Sequence, residues 1–446
     1  MRCSVQQGMH RENTMTSEAH FNFAPGLVSR GACSPERNPL ARVLLAGTLL
    51  TCVALTANNS FAQVARPATH PQQQRQTTAL EANADAAWQK EPLALLGAFE
   101  VQALRETITD DARSKDLQIL LRWPKLPKDH SSPLPLVVFS HGMGGDREAF
   151  TKLSEHWTSH GFVVVHVTHS DSIKLRREQG EKLTLDNAMD VRNVDPESRI
   201  ADCLYLAEHT EQLEQLIASQ EQGAQPAAAR APLSIDTSRV YVAGHSAGAL
   251  TTMLCINVKA RMREAGGRPR DMLALKERGS EIFKAGIVIS GQGTTNRMLI
   301  DDSWNALRVP MLVLAGSKDV ANVGKETPES RRHPFEKSKG EAAGGPPAWL
   351  LWIEGATHGS YQGKDLTRML REDPEVDVDM VAASTRAATL AFLLAARDGL
   401  THKPQLEAAL QASKGEETTS LRAARLLRDE QWMPSITDKQ ATMQVK

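Results

Sequence analysis

Aromatic side chains make up only 4% of this 446-residue chain, and cysteine is scarcer still, with five copies. So few rings exclude a surface built to stack bases. Cys3, Cys33, Cys52, Cys203 and Cys255 lack the paired spacing of a zinc framework. Cys203 and Cys255 could pair if their helices met; the preferred reading is two unpaired buried thiols. An excess of one charge is also lacking: 52 basic and 53 acidic side chains leave a formal net of -1. That balance excludes a chain built to coat nucleic acid. What remains is ordinary for a globular protein: 29 glycines, 22 prolines and 24% charged residues. The length suits two or three domains, or one large α/β domain with extensions.

The first 62 residues read as an export signal. Arg37 and Arg42 precede an apolar run from Val43 to Ala57, and Ser60-Phe61-Ala62 offers small residues where a signal peptidase cuts, leaving Gln63 first. The run holds about fifteen residues, short of the ~20 that span a bilayer, so no stable membrane insertion is expected and the mature chain is placed in the periplasm or outside the cell. A single anchor helix is the alternative. The residues before Arg37 are unusual for a signal and suggest an overlong start. Residues 63–91, rich in Gln, Ala and Thr, read as a flexible leader.

Residues 92–398 carry the pattern of one domain. Residues 92–108 look like a short packed segment and Leu117–Trp123 like an early edge strand. Short apolar strands follow at Leu136–Ser140, Phe162–Val167, Val240–Ala243, Ala285–Ser290, Met311–Ala315 and Trp349–Ile353. Helical spacing separates them, including one long helix over 198–219 and a last one over 380–395. Fully apolar strands alternating with helices predict an α/β fold: a mostly parallel sheet covered on both faces. Its site should lie at the C-terminal ends of the strands. Two polar connections, 168–197 and 320–347, are long enough to be functional or mobile. Residues 399–446 form a polar extension, read either as one or two packed helices or as a frayed tail.

Gly244-His245-Ser246-Ala247-Gly248 directly follows strand VYVA and opens a helix, the context that a G-x-S-x-G nucleophile requires. A tight strand-to-helix turn pushes the serine hydroxyl above the sheet edge, and the Ala247 N–H at the helix start faces developing negative charge. A second donor should come from the glycine loop His141-Gly142-Met143-Gly144-Gly145 after strand LVVF, and Met143 is assigned its amide. The spacing there is neither a dinucleotide nor a Walker loop. A serine alcohol needs a base, and His358 in Gly355-Ala356-Thr357-His358-Gly359 follows a late strand. The orienting acid should end the preceding strand, where Asp319 stands; Asp301 or Asp302, one strand earlier, is the rival. His245 and His141 read as supports for their loops. Arg192, Asp195 and Arg199 are candidates to tie down the long polar connection, and Trp304 to wall an acyl pocket or fill core. His166 and His169 have no acid or cysteine cluster beside them to complete a metal site.

FSHGMGG, HGFVVVHVTHSD, RIADCLYLAE and VAGHSAGA resemble the α/β-hydrolase superfamily. Within it they are most similar to the bacterial dienelactone-hydrolase-like group related to platelet-activating-factor acetylhydrolases and cutinase-type polyester hydrolases. The resemblance runs from about Leu117 to Ala396. It implies the α/β-hydrolase fold and a serine carboxylester hydrolase for a small-molecule ester, needing no cofactor and no metal, with oxyanion donors at Met143 and Ala247. Dienelactone hydrolases carry cysteine where this chain has Ser246, and acetylhydrolase relatives take their acid after an earlier strand, which keeps Asp302 open. An amidase or peptidase, a cofactor-free haloperoxidase, a C–C hydrolase and a non-catalytic binding protein are the competing readings.

Overall fold

The computed structural model describes residues 90–127, 129–222, 232–261, 269–320, 324–429 and 440–446. The export signal and all but the end of the leader lie outside these residues. The described strands form one nine-stranded sheet. They are β1 (Val101–Asp110), β2 (Lys115–Pro124), β3 (Leu134–Ser140), β4 (Val163–Val167), β5 (Ile235–His245), β6 (Phe283–Ile289), β7 (Met311–Lys318), β8 (Ala348–Thr357) and β9 (Ala441–Val445). Their spatial order is β1-β2-β4-β3-β5-β6-β7-β8-β9. The six strands from β4 to β8 run parallel, whereas β1, β2 and β9 are attached antiparallel at the edges.

Helices fill the connections: α1 (Thr151–Ser159), α2 (Ile173–Glu178), α3 (Leu185–Ala188), α4 (Pro196–Glu208), α5 (Thr210–Gln222), α6 (Ala247–Cys255) and α7 (Pro269–Ile282). The C-terminal part adds α8 (Pro328–Glu336), α9 (Lys364–Leu370), α10 (Val378–Arg397), α11 (Lys403–Ala412) and α12 (Thr419–Leu426). Because strand side chains alternate between faces, each inner strand feeds two cores. Val137, Phe139, Ala243, Ile287 and Leu314 join Trp157 of α1 and the apolar side of α10. Leu136, Val138, Val242 and Val313 join Ile200 and Leu204 of α4 and Met253 of α6. This is a mixed, mostly parallel sheet with helices on both faces, the architecture of the α/β-hydrolase fold. Helix α10 has the length and apolar content of a membrane span, but most of it is buried against the sheet.

Three local features differ from the sequence expectation. The helix expected over 198–219 is broken at His209, whose φ of -106° and ψ of 46° leave the helical region. Both the His209 amide and its Nδ1 bond the Tyr205 carbonyl, ending one helix before the next begins. Residues 101–110 form a ten-residue strand that starts inside what reads as a short packed segment, and by pairing with β2 it takes the sheet edge expected for Leu117–Trp123. After residue 398, beyond the packed helices α11 and α12, residues 441–445 form a strand where the sequence reading has only helices or a frayed tail, and this β9 pairs with β8.

Candidate active site

Four neighbouring parallel strands each deliver a polar residue at the first position beyond their C-terminal end. These are Ser246 after β5, Ser290 after β6, Asp319 after β7 and His358 after β8. A parallel sheet places such positions along one edge.

Ser246 sits at the β5–α6 junction with φ 55° and ψ -119°, a conformation costly for a side-chain-bearing residue. Its amide donates to the Ile289 carbonyl at 3.0 Å, which anchors the turn to β6. The flanking glycines are required by contact. A Cβ at Gly248 would lie 1.9 Å from the Ser140 carbonyl oxygen, and one at Gly244 would lie 2.3 Å from the Gly248 oxygen. The turn therefore brings α6 hard against the end of β3, where the glycine loop starts. A Cβ at Gly142 would be 3.4 Å from Cβ of Ser246. Among the described residues, neither the Met143 amide nor the Ala247 amide has a protein acceptor. For Ala247 this follows from its place at the first turn of α6, whose N–H groups lack intrahelical partners.

The glycine loop is held from behind by a buried polar network. The His169 amide donates to Nε2 of His141 at 2.9 Å, so the His141 proton resides on Nδ1, which donates to the Gly142 carbonyl at 2.6 Å. Burial, helped by the nearby Arg199 guanidinium and the His169 ring, holds His141 well below the usual imidazole range and keeps it neutral. Arg199 grips Asp171 with two bonds of 2.9 and 2.8 Å and donates to the His141 carbonyl at 2.9 Å. Asp171 accepts the Gly144 amide at 3.1 Å. Ser140 Oγ is 2.9 Å from Nε2 of His169, whose Nδ1 is 2.8 Å from Asp202. Asp202 in turn takes Lys115 and Arg113, each at 2.7 Å. Burial alone would raise the Asp202 carboxyl, but His169 and Lys115 outweigh it and hold it at about 2.

At the other end of the edge, Asp319 is fully buried. Its Oδ1 lies 3.0 Å from Nδ1 of His358 and accepts the Ser290 hydroxyl at 2.8 Å, and Oδ2 accepts the Tyr361 hydroxyl at 3.3 Å. Arg331, 1% exposed, places Nε 3.3 Å from Oδ1. Burial pushes the Asp319 carboxyl up, yet Arg331, His358 and Ser290 more than offset this and keep it ionised, at about 2. The His358 carbonyl accepts Nε2 of His245 at 2.9 Å, and the two rings are 4.6 Å apart. Burial and the neighbouring His358 press His245 down to about 3.

Asp319 and His358 thus meet, whereas Asp302 is exposed on a 3₁₀ turn (Asp301–Ala306) and bonds Asn305 at 3.0 Å. Trp304 fills core. Cys203 and Cys255 are buried free thiols. Of the residues assigned to the 168–197 connection, Arg199 ties it down through Asp171. Arg192 pairs with Asp190 beside it, and Asp195 caps α4. His166 packs on Phe139 at 4.8 Å between ring centroids.

Sequence reading missed Ser290 and Arg331. Ser290 could have been noticed as a polar residue ending a strand, as Asp319 does. Arg331 gives less signal: Thr327-Pro328 and Ser330 announce a helix start, but nothing in the local sequence says that its second turn is buried.

Residues 121–278 match the family described as platelet-activating factor acetylhydrolase, isoform II. The match includes Met143, Ser246 and Ala247 and ends before Ser290, Asp319 and His358. The platelet-activating factor acetylhydrolase of Cavia porcellus is 27% identical over 187 residues, 36% of this chain and 42% of that relative. The chain therefore spans less than half the length of the relative it matches. With the strand order, the strained serine turn and the buried His–Asp pair, these similarities place the chain in the α/β-hydrolase superfamily, related to the platelet-activating factor acetylhydrolase and dienelactone-hydrolase-like group.

Proposed function

We propose that this chain is a serine carboxylester hydrolase acting on small, short-acyl esters through Ser246, His358 and Asp319. The observation that carries the reading is the backbone of Ser246, held at φ 55° and ψ -119° at the start of α6 between two glycines at which a side chain would collide with backbone. A protein stores strain of this kind, about 1–3 kcal/mol, where a reacting group must be presented.

The chemistry runs in two steps. His358 takes the Ser246 proton as the serine attacks the ester carbonyl. The Met143 and Ala247 amides, which have no protein acceptor among the described residues, donate to the oxyanion. His358 then protonates the leaving alcohol and activates water to release the acid. Asp319 keeps the ring oriented and stabilises its charged form. The name of the related acetylhydrolase supports a short acyl group. The signal-like residues 37–62 support export to the periplasm or beyond.

Incubation of the purified protein with a fluorophosphonate, followed by mass spectrometry, tests this reading. Stoichiometric labelling at Ser246, absent in Ser246→Ala, is expected. A folded protein that stays unlabelled would return the binding-protein reading to the front. Matched ester and amide substrates then separate an esterase from an amidase.

A further inference from the structure

The contact closest to the base is not the carboxylate. Oγ of Ser290 lies 2.6 Å from Nδ1 of His358, while Asp319 Oδ1 lies at 3.0 Å. The same hydroxyl donates to Asp319 Oδ1 at 2.8 Å. A serine hydroxyl has one proton to give. With that proton on Asp319, its oxygen accepts the Nδ1 proton of His358, leaving Nε2 as the basic nitrogen. Ser290 is fully buried and holds a φ of 51°, so its backbone is fixed at some cost.

Arg331 supplies the restraint. Its Nη1 donates to the Ser290 carbonyl at 3.0 Å and to the Gly291 carbonyl at 3.1 Å. Arg331 also bears on the chemistry. Its guanidinium shares the Asp319 carboxylate and stands 3.4 Å from Nδ1 of His358. A cation there opposes a positive imidazolium, and the carboxylate charge is divided between two partners. An oxygen lone pair against the Nδ1 proton offsets part of that opposition.

We propose that Ser290 is a positioning residue for His358: its hydroxyl shares the Nδ1 proton with Asp319, and Arg331 locks it there. The inference rests on the hydrolase reading, because the ring it orients is the proposed base.

The test uses Ser290→Gly, which suits a positive φ, with Ser290→Ala as a second variant. Circular dichroism and thermal melting confirm that each is folded. The rate of fluorophosphonate labelling at Ser246 and kcat on an ester should fall about 10- to 100-fold in both, the factor for one hydrogen bond to a developing charge. KM should stay within about twofold, the pattern for an interaction made in the transition state. The low-field proton resonance of the His358 ring, identified by its loss in His358→Gln, should move. A role in backbone geometry alone predicts that glycine labels at the wild-type rate with the resonance in place, and that result overturns the proposal. Failure of the wild-type chain to label overturns the hydrolase reading, and this inference with it. Labelled wild type with an unaffected Ser290→Gly overturns the inference alone.

Discussion

Gly248 in α6 lies so close to Ser140 at the end of β3 that a methyl group on it would stand 1.9 Å from the Ser140 carbonyl oxygen. This contact couples the helix that begins beside Ser246 to the loop that carries Met143. The obstructing atoms, the Ser140 carbonyl carbon and oxygen and the His141 oxygen, are all backbone, so none can rotate away. Gly248→Ala should destabilise the protein by at least about 1–3 kcal/mol, the range for overpacking a tight site, and should lower kcat more than KM changes. Urea denaturation and ester kinetics check both. An alanine variant with wild-type stability would mean that the two elements separate easily.

The two candidate acids differ in surroundings, and substitution should reveal it. Asp319→Asn removes the charge facing His358 and leaves Arg331 buried without its carboxylate. A loss of about 3–5 kcal/mol in stability and about 10⁴-fold in kcat is expected. Asp302→Asn changes an exposed turn and should stay within about 0.5 kcal/mol with activity unchanged. Parallel kinetics and chemical denaturation of the two variants decide it, and equal losses in both would reopen the assignment.

Acid should weaken the fold in two stages. Burial leads the causes that hold His156, His166 and His245 at about 3, so these rings are neutral in the folded protein. The unfolded chain binds protons at its histidines below about 6.5. Their contribution is therefore complete above that pH and is lost as the pH falls toward 3. The second stage comes from carboxyl groups. Asp202 and Asp319, held at about 2 against the raising effect of burial, add stability above about 4 that disappears as pH falls through 2. Urea midpoints at pH 8, 7, 6 and 5 should be level above 7 and decline below 6.5. A flat profile from 7 to 5 would contradict the first stage.

The Asp171–Arg199 pair behind the glycine loop should show strong non-additivity. Both side chains are 1% exposed and joined by two bonds of 2.9 and 2.8 Å. Removing either one strands a buried charge and should cost about 3–5 kcal/mol. The combined Asp171→Asn, Arg199→Met variant strands neither charge and should be more stable than the sum of the single losses implies. A double-mutant cycle by urea denaturation measures this. All three variants should lose activity, since Asp171→Asn takes the carboxylate from the Gly144 amide and Arg199→Met takes away the two bonds that hold that carboxylate in place.

The chain order of apolar strands and helical segments carries enough local pattern to specify a parallel sheet with helices on both faces. The glycine spacing around Ser246 and around Met143 marks two turns whose backbone demands leave traces in composition. His358 and Asp319 are legible because a residue just beyond a parallel strand must face the sheet edge. The partners that set the character of these groups are not legible in this way. Ser290 meets His358 across 68 positions of sequence, and Arg331 reaches Asp319 only because α8 folds back over the ends of β6 and β7. Asp171, between β4 and α2, and Arg199 of α4 act on the glycine loop from two other elements. Local periodicity reports which side of an element is apolar. Only the packed tertiary structure decides which polar groups are enclosed together, because that depends on distances between segments that share no local pattern.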